Sequence, residues 1–228
     1  MDNLILAEPP HLVVQGEGPH MGQKMYLFRV KGCPVQCDGC DSAYTFQSSS
    51  EKGITYSVDE FQNLLELKKS KFERVMVSGG EPALYVNFFE EYFKKYSDKN
   101  IKFEIETSGW GDWSSLHTWW DHIHFNFSPK IGALQGKIKE WPALDNLPYH
   151  YCVKVVTSRD TFFLDMEEIN KLQKKHNIPD SKVYLMPLGT TREEMVDQSA
   201  FVLEGAMEYG YQFSPRLHIL IYDTKRLV

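Results

Sequence analysis

An α/β fold built on a parallel sheet is what this sequence predicts, and three observations carry that expectation. Short apolar runs suited to buried strands alternate with stretches of helical period along most of the chain. Polar, glycine-bearing loops follow one strand after another, at the carboxyl ends where α/β proteins and barrels build their sites. Three cysteines, Cys33, Cys37 and Cys40, crowd into one such loop, and the only other cysteine is Cys152.

Taken in order, Met25 to Val30 is a short apolar run that reads as a buried strand. Ser57-Val-Asp-Glu60 is a capping box that opens a helix with Phe61, Leu64, Leu65 and Lys68 on successive turns. Arg74 to Val77 reads as a strand and Val86 to Tyr96 as an aromatic-rich amphipathic helix. Ile101 to Ile105 and Ile123 to Phe127 are further strands, with a Trp-rich helix from Trp113 to Trp120 between them. Cys152 to Val156 is a strand, Leu164 to His176 a helix and Lys182 to Leu185 a strand. Arg192 to Tyr209 is a helix, and Leu217 to Tyr222 is expected as a last strand. Phe46 to Gly53 and Gly132 to Pro148 read as surface loops. Repeated strand–helix units imply a parallel sheet with helices outside.

The strand ends carry the polar signal. Ser78-Gly-Gly-Glu-Pro82, Glu106-Thr-Ser-Gly109, Ser128-Pro-Lys130 and Met186-Pro-Leu-Gly189 each follow a strand, as does the cysteine loop. All five are expected to open onto one rim. Any one alone is a weak sign, since glycine doublets are common turns; their shared register is the strong one.

With 228 residues, 42% hydrophobic and 25% charged, the chain fits one domain spanning 1–228. A formal net charge of −6 argues against a general nucleic-acid or membrane-surface binder. No apolar run approaches the roughly 18 residues of a membrane span. The segment Met1 to Glu8 lacks a basic region and a long apolar stretch, so no signal peptide is expected, and clustered free thiols suit a reducing, cytoplasmic setting.

Three thiols spaced C-x3-C-x2-C cannot pair evenly as disulfides and can face one point, which suits a metal. Two readings stand. A cubane [4Fe-4S] cluster held by three cysteines keeps one iron open for a ligand. A zinc knuckle takes a fourth ligand, from a histidine or from Cys152.

The C-x3-C-x2-C run resembles the cluster loop of radical S-adenosylmethionine enzymes, in which the cofactor chelates the open iron and one electron cleaves it to a 5′-deoxyadenosyl radical. The wider pattern resembles the 7-carboxy-7-deazaguanine synthase family over nearly the whole chain. It is carried by Val14-Gln-Gly-Glu-Gly18, Arg29, Gly32-Cys33, Cys37, Cys40-Asp-Ser42, Gly79-Gly-Glu-Pro82, Glu106-Thr-Ser-Gly109, Ser128-Pro-Lys130 and Met186-Pro187. The resemblance implies a reduced or partial (β/α)6 barrel with parallel strands and the cluster loop after the first barrel strand. It implies radical ring contraction of 6-carboxy-5,6,7,8-tetrahydropterin to 7-carboxy-7-deazaguanine with loss of ammonia, assisted by Mg2+. The product leads toward 7-deazapurine nucleosides such as queuosine. An electron donor such as flavodoxin or ferredoxin, and a homodimer, are implied partners.

Residue by residue, the resemblance makes Cys33, Cys37 and Cys40 the cluster ligands, and puts Ser42 where the family usually has a Mg2+-binding threonine. Gly39, Asp41, Gly79, Gly80, Glu81, Ser108, Gly109, Ser128, Pro129, Lys130, Met186, Pro187, Leu188 and Gly189 would line the S-adenosylmethionine site. Gly79 and Gly80 would allow close backbone approach to that ligand, and Glu81 would accept from its ammonium. Val14, Gln15, Gly16, Glu17, Arg29 and Thr107 would bind substrate. Gln15 and Glu17 offer donors and acceptors to an aminopyrimidinone, and Arg29 a fork for a carboxylate. Two departures stand out: Gly39 lies where an aromatic residue usually precedes the third cysteine, with Tyr44 as a substitute, and Met186 replaces a frequent glutamine. Cys152 reads as a small buried hydrophobe; Trp110, Trp113, Trp119 and Trp120 read as core or dimer interface. His117, His122 and His124 are expected in packing or surface roles, and His218 is a candidate at the barrel mouth. The alternatives are another small radical enzyme, such as a glycyl-radical activase, and a zinc-stapled binding module without catalysis.

Overall fold

Alternating side-chain direction explains the architecture. The computed structural model describes residues 2–47, 52–132 and 136–225, so the loops expected over Phe46 to Gly53 and Gly132 to Pro148 lie partly outside the described residues. The strands are β1 Leu4–Leu6, β2 His11–Val14, β3 Lys24–Val30, β4 Ile54–Tyr56, β5 Arg74–Gly79, β6 Phe103–Thr107, β7 Ile123–Phe127, β8 Tyr151–Thr157, β9 Val183–Pro187 and β10 Gln212–Phe213. The helices are α1 Tyr44–Gln47, α2 Val58–Lys68, α3 Val86–Tyr96, α4 Phe162–His176, α5 Arg192–Tyr209 and α6 Leu217–Tyr222.

All ten strands share one sheet, in the order β10-β9-β8-β7-β6-β5-β3-β1-β4, with β2 also paired to β3. From β3 to β10 every neighbouring pair is parallel, whereas β1 and β2 lie antiparallel along β3. The arrangement is reduced relative to a full set of crossovers. Helices α2, α3, α4 and α5 cross between strands, but β6 joins β7 through a 3-10 segment, Ser114–His122, where an α-helix was expected.

Successive strand residues face opposite sides. One set, including Phe28, Val77, Phe103, Ile105, Phe125, Phe127, Val153 and Leu185, packs against the helices in a single large core. Phe61 of α2 sits at its centre, with Phe28, Phe88 and Tyr92 rings around it. The capping box expected at Ser57 is present, with Glu60 N donating to Ser57 Oγ and Ser57 N to Glu60 Oε2. The other face differs. It holds a small apolar group, Met25, Leu27 and Met76, and then Glu104, Asn126 and Lys154, all essentially without solvent exposure. Parallel sheets usually bury apolar side chains on both faces. A polar inner face therefore marks where the chemistry is placed.

The expected last strand, Leu217 to Tyr222, is instead helix α6. The run is β-branched enough to read as a strand, but its ends are satisfied by distant groups. Arg192 at the start of α5 donates to the Leu220 and Ile221 carbonyls at 2.6 Å each, and its own N–H donates to Asp223 Oδ1 at 3.0 Å. At the other end, Leu217 N donates to Gly16 O at 2.9 Å. Together with Gly18 N to Ser214 Oγ at 2.8 Å, this closes a seam between the loop after β2 and the segment leading into α6.

Gly80 shows how tightly the rim is packed. Its N–H donates to Val30 O at 2.9 Å and the next N–H, of Glu81, to Gly32 O at 2.8 Å. A Cβ on Gly80 would overlap that Gly32 carbonyl, which is backbone and cannot rotate away. Gly80→Ala should therefore lower stability by about 1–3 kcal/mol, read by thermal melting. A melting temperature unchanged from wild type would show that the cysteine loop is free to retreat.

Candidate active site

The loop from Gly32 to Thr45 carries the three thiols and is fastened at several points. Gly32 N donates to Thr45 O at 2.9 Å, Thr45 Oγ1 to Ser42 O at 2.8 Å, and Lys137 N to Val35 O at 2.8 Å. Cys33, Cys37 and Cys40 are free and half-buried. Cys37 feels the charge of both other thiols, and Lys130 faces all three. Burial pushes each thiol up, Cys37 to about 11, and the Lys130 ammonium opposes the rise. Thiols held this way are stabilised as ligands once a cationic cluster replaces their protons. The donor set has the chemistry of an iron–sulfur cluster site: three free thiols on one loop, each facing the Lys130 charge. Among the described residues, no group of three or more His, Cys, Asp and Glu side chains is arranged for a single metal ion. Cys152 stands apart; it is buried and its Sγ donates to Asn126 Oδ1 at 3.0 Å, so it is part of a polar network and not merely a small hydrophobe.

Beside the thiols, Ser42 Oγ donates to Asp41 Oδ1 at 3.0 Å and lies 3.5 Å from Arg29 Nη1. Arg29 Nε pairs with Glu8 Oε1 at 3.0 Å, and Tyr44 Oη donates to Glu8 Oε2 at 2.9 Å. Glu8 was not foreseen. Gly39 has φ +70° and open space where a Cβ would be, so the turn itself uses glycine there, and Tyr44 is engaged with Glu8.

Gly79, Gly80 and Glu81 sit at the end of β5. A Cβ on Gly79 would lie 3.0 Å from Arg29 Cα, so both glycines let strands and loops meet closely at this rim. Glu81 is buried and accepts four protein donors: Thr107 Oγ1 at 2.5 Å, Ala83 N at 3.1 Å, Ser108 Oγ at 2.6 Å and Ser108 N at 2.9 Å. Burial pushes its carboxyl up, against those donors. Glu81 and Thr107 thus clamp the loops after β5 and β6 to each other. Gly109, with φ +90°, turns the chain after Ser108. Ser128 N donates to Thr107 O at 2.7 Å, Lys130 Nζ to Ser128 Oγ at 3.0 Å, and Ile131 N to Pro129 O at 3.0 Å. Met186 is buried on the inner face, Pro187 ends β9, Leu188 N donates to Thr157 O at 2.8 Å, and Gly189 O accepts from Arg216 Nη1 at 2.8 Å.

The inner face is a connected polar network. Gln15, almost fully buried, donates through Nε2 to Glu104 and, at 3.1 Å, to Glu106 Oε1. Asn126 Nδ2 bridges the same two carboxyls at 2.7 Å each. Lys154 Nζ lies 2.7 Å from Glu17 Oε2 and 2.5 Å from Glu106 Oε2. Arg216 pairs with Glu17 at 3.2 Å and with Asp41. Burial pushes Glu17 up, yet Lys154 and Arg216 outweigh it and hold that carboxyl well below its ordinary range. Glu106 goes the other way: burial raises it, Lys154 opposes this, and Glu17 and Glu104 add to it. Val14 is half exposed at the end of β2, and Gly16 packs under His218, whose ring a Cβ there would overlap. Below the network, His20 Nδ1 meets Glu104 Oε2 at 2.7 Å and its ring meets that of His124. Burial pushes His124 down to about 3, so it is a neutral packing residue, as expected. Trp113 is buried, and Trp110, Trp119 and Trp120 pack against the core.

A family model described as a 4Fe-4S single cluster domain matches residues 14–118, which include all three loop cysteines. A 7-carboxy-7-deazaguanine synthase from Buchnera aphidicola is 30% identical, over 80% of this chain and 84% of that protein. The chain belongs to the 7-carboxy-7-deazaguanine synthase family. The Pyrobaculum aerophilum protein of that name is 28% identical over 93% of this chain and 92% of its own length. The crystal structure of QueE from Escherichia coli shares the fold, with a TM-score of 0.73, 18% identity and 95% coverage of both chains. The chain is thus a radical S-adenosylmethionine enzyme with a [4Fe-4S] cluster, and the activase and zinc-module alternatives give way.

The thiol environment has a measurable consequence. In iron-free protein, Cys37 thiolate at pH 8 is on the order of a thousandth of the total, so alkylation by iodoacetamide should run on the order of a hundredfold slower than for a peptide thiol. The rate should keep climbing beyond pH 9. A plateau by pH 9 would show that the loop does not bury Cys37.

Proposed function

We propose that this chain converts 6-carboxy-5,6,7,8-tetrahydropterin to 7-carboxy-7-deazaguanine by radical ring contraction with loss of ammonia, a step toward queuosine-type 7-deazapurines. The observation that carries the reading is the joining of two loops at one end of the sheet. The Val14–Glu17 loop and the Cys33–Cys40 loop are tied together there by the Glu17–Arg216–Asp41 ion pairs. Synthesis of 7-carboxy-7-deazaguanine is also the name shared by the relatives.

Cys33, Cys37 and Cys40 hold the cluster, and bound S-adenosylmethionine supplies the one-electron chemistry. Lys130 offers a cation for the cofactor's carboxylate, beside the Ser128 hydroxyl. Gly39, Asp41, Gly79, Gly80, Ser108, Gly109, Pro129 and Met186 to Gly189 form the wall of that site, and Glu81 positions Ser108 within it. Gln15 is held by its amide nitrogen on two carboxyls and by its oxygen on Glu17 N at 3.2 Å, which fixes how the Gly16 backbone faces a pterin. Glu17 offers an ionised acceptor on the same loop. Arg29 binds the substrate carboxylate by exchanging it for Glu8, while Thr107 acts through Glu81.

The Ser42 hydroxyl and Asp41 carboxylate are hard oxygen donors 3.0 Å apart, a chemistry that fits Mg2+. The Asp41 charge is shared with Arg216, and the Ser42 hydroxyl lies 3.5 Å from Arg29 Nη1. A flavodoxin or ferredoxin as reductant, a homodimer, a cytoplasmic setting and a single domain over 1–228 complete the proposal. No helix among the described residues is long and apolar enough to cross a membrane.

Anaerobic turnover of 6-carboxy-5,6,7,8-tetrahydropterin with S-adenosylmethionine, Mg2+ and a reductant tests the assignment. Cluster-replete protein should form 7-carboxy-7-deazaguanine, and its failure to do so would reject the proposal. Ser42→Ala should keep iron content and S-adenosylmethionine binding while Mg2+-stimulated turnover falls by on the order of tenfold. Ser42→Thr should keep the Mg2+ response. An unaltered Mg2+ titration in Ser42→Ala would remove Ser42 from the metal site.

A further inference from the structure

Arg216 lies just before α6, at the seam of the sheet, and is only 8% exposed. Its guanidinium uses three edges at once. Nε is 3.2 Å from Glu17 Oε1, Nη1 donates to Gly189 O at 2.8 Å, and Nη2 pairs with Asp41 Oδ2. These partners belong to three different walls of the mouth. Glu17 is on the loop after β2, Asp41 follows Cys40 directly, and Gly189 follows β9. A planar fork can hold three such directions; an ammonium cannot fix them in the same way.

The contacts leave little slack. The second Glu17 oxygen is taken by Lys154, so Glu17 cannot swing toward a ligand without altering its pairing to Arg216. On the far side, Asp41 Oδ1 accepts from Ser42 Oγ, and the turn continues through Thr45 to Gly32, next to Cys33. The seam holds Arg216 itself in place through Leu217 N to Gly16 O and Gly18 N to Ser214 Oγ. A change at Glu17 is therefore passed to Asp41 through a single buried cation.

We infer that Arg216 is a positioning residue that couples ligand occupancy of the Val14–Glu17 loop to the setting of the cysteine loop. The inference rests on the substrate reading proposed above. Coupling of this kind is reciprocal: whatever orders the cysteine loop also favours pterin binding at Glu17. A latch serving only α6 would have no such effect, because it would not need Asp41.

Hydrogen–deuterium exchange on the anaerobic holoenzyme distinguishes the two, with 6-carboxy-5,6,7,8-tetrahydropterin added and no reductant, so that no turnover occurs. In the wild type, the pterin should slow exchange several-fold at amides of residues 14–18 and also of 38–44. In Arg216→Gln, protection should remain at 14–18 and be lost at 38–44. Asp41→Asn weakens the pairing from the cysteine-loop side, and with Mg2+ and S-adenosylmethionine left out of the exchange experiment it should give the same split. It decides the matter if Arg216→Gln fails to fold or loses its iron. Protection at 38–44 that persists in both variants, or that is missing from the wild type while 14–18 is protected, overturns the coupling. No protection at 14–18 in the wild type overturns the substrate reading, and the coupling with it.

Discussion

The Lys154 ammonium sits on the inner face of β8 with almost no exposure, between Glu17 and Glu106. An isolated charge at that depth would be strongly unfavourable, and two carboxylates in contact distance offset its desolvation. The pairing has a structural result. Glu106 belongs to β6 and Glu17 to the loop after β2, so one cation fastens that loop to the sheet. Burial alone would lower the lysine's proton affinity, but Glu106 and Glu17 hold it well above the ordinary value. From Glu106 through Lys154, Glu17 and Arg216 to Asp41, charges alternate in sign around the mouth. Removing the buried Lys154 leaves uncompensated carboxylates, typically a loss of about 3–5 kcal/mol for a buried pair.

That row also explains why the inner face can be polar in a parallel sheet. Glu104 and Glu106 stand at alternate positions of β6 and would repel each other. Gln15 and Asn126 each place an amide between them, and His20 takes the remaining Glu104 oxygen. Each acceptor is met by a donor from a different element, so the network specifies how β2, β6, β7 and β8 are placed relative to one another.

Much of the outer architecture was legible in the sequence. The Val86–Tyr96 and Arg192–Tyr209 helices and the Ile123–Phe127 strand have the expected bounds, because an amphipathic period or a buried apolar run is a local signal. The strands β1, β2, β4 and β10 escaped notice, being two to four residues long and defined by their partners. Helix α6 was misread because its caps come from Arg192, which is distant in sequence. At the site, the five rim loops and the placing of the three thiols on one of them could be read from spacing. The Glu81 clamp and the Glu8–Arg29 pair could not, since a motif shows which groups are present but not which are already engaged. Lys154, Glu104 and Asn126 did leave a signal: a charged or amide residue at the inward position of an otherwise apolar strand, as in Phe103-Glu-Ile-Glu-Thr107.

The central claim is that Lys154 holds the mouth together by charge, and the pH dependence of Lys154→Met tests it most directly. Without the ammonium, Glu106 is buried beside Glu17 and Glu104 with its opposing cation gone, and its folded-state pKa rises further above that of the unfolded chain, while Arg216 still pairs with Glu17. The native variant then binds more protons than its unfolded state, so its stability falls as pH rises through that range. Chemical denaturation from pH 5 to pH 8 should show the deficit relative to wild type smallest at pH 5 and larger by about 1–3 kcal/mol at pH 8. A deficit of the same size at every pH would mean that Lys154 acts through packing alone, and would contradict the account.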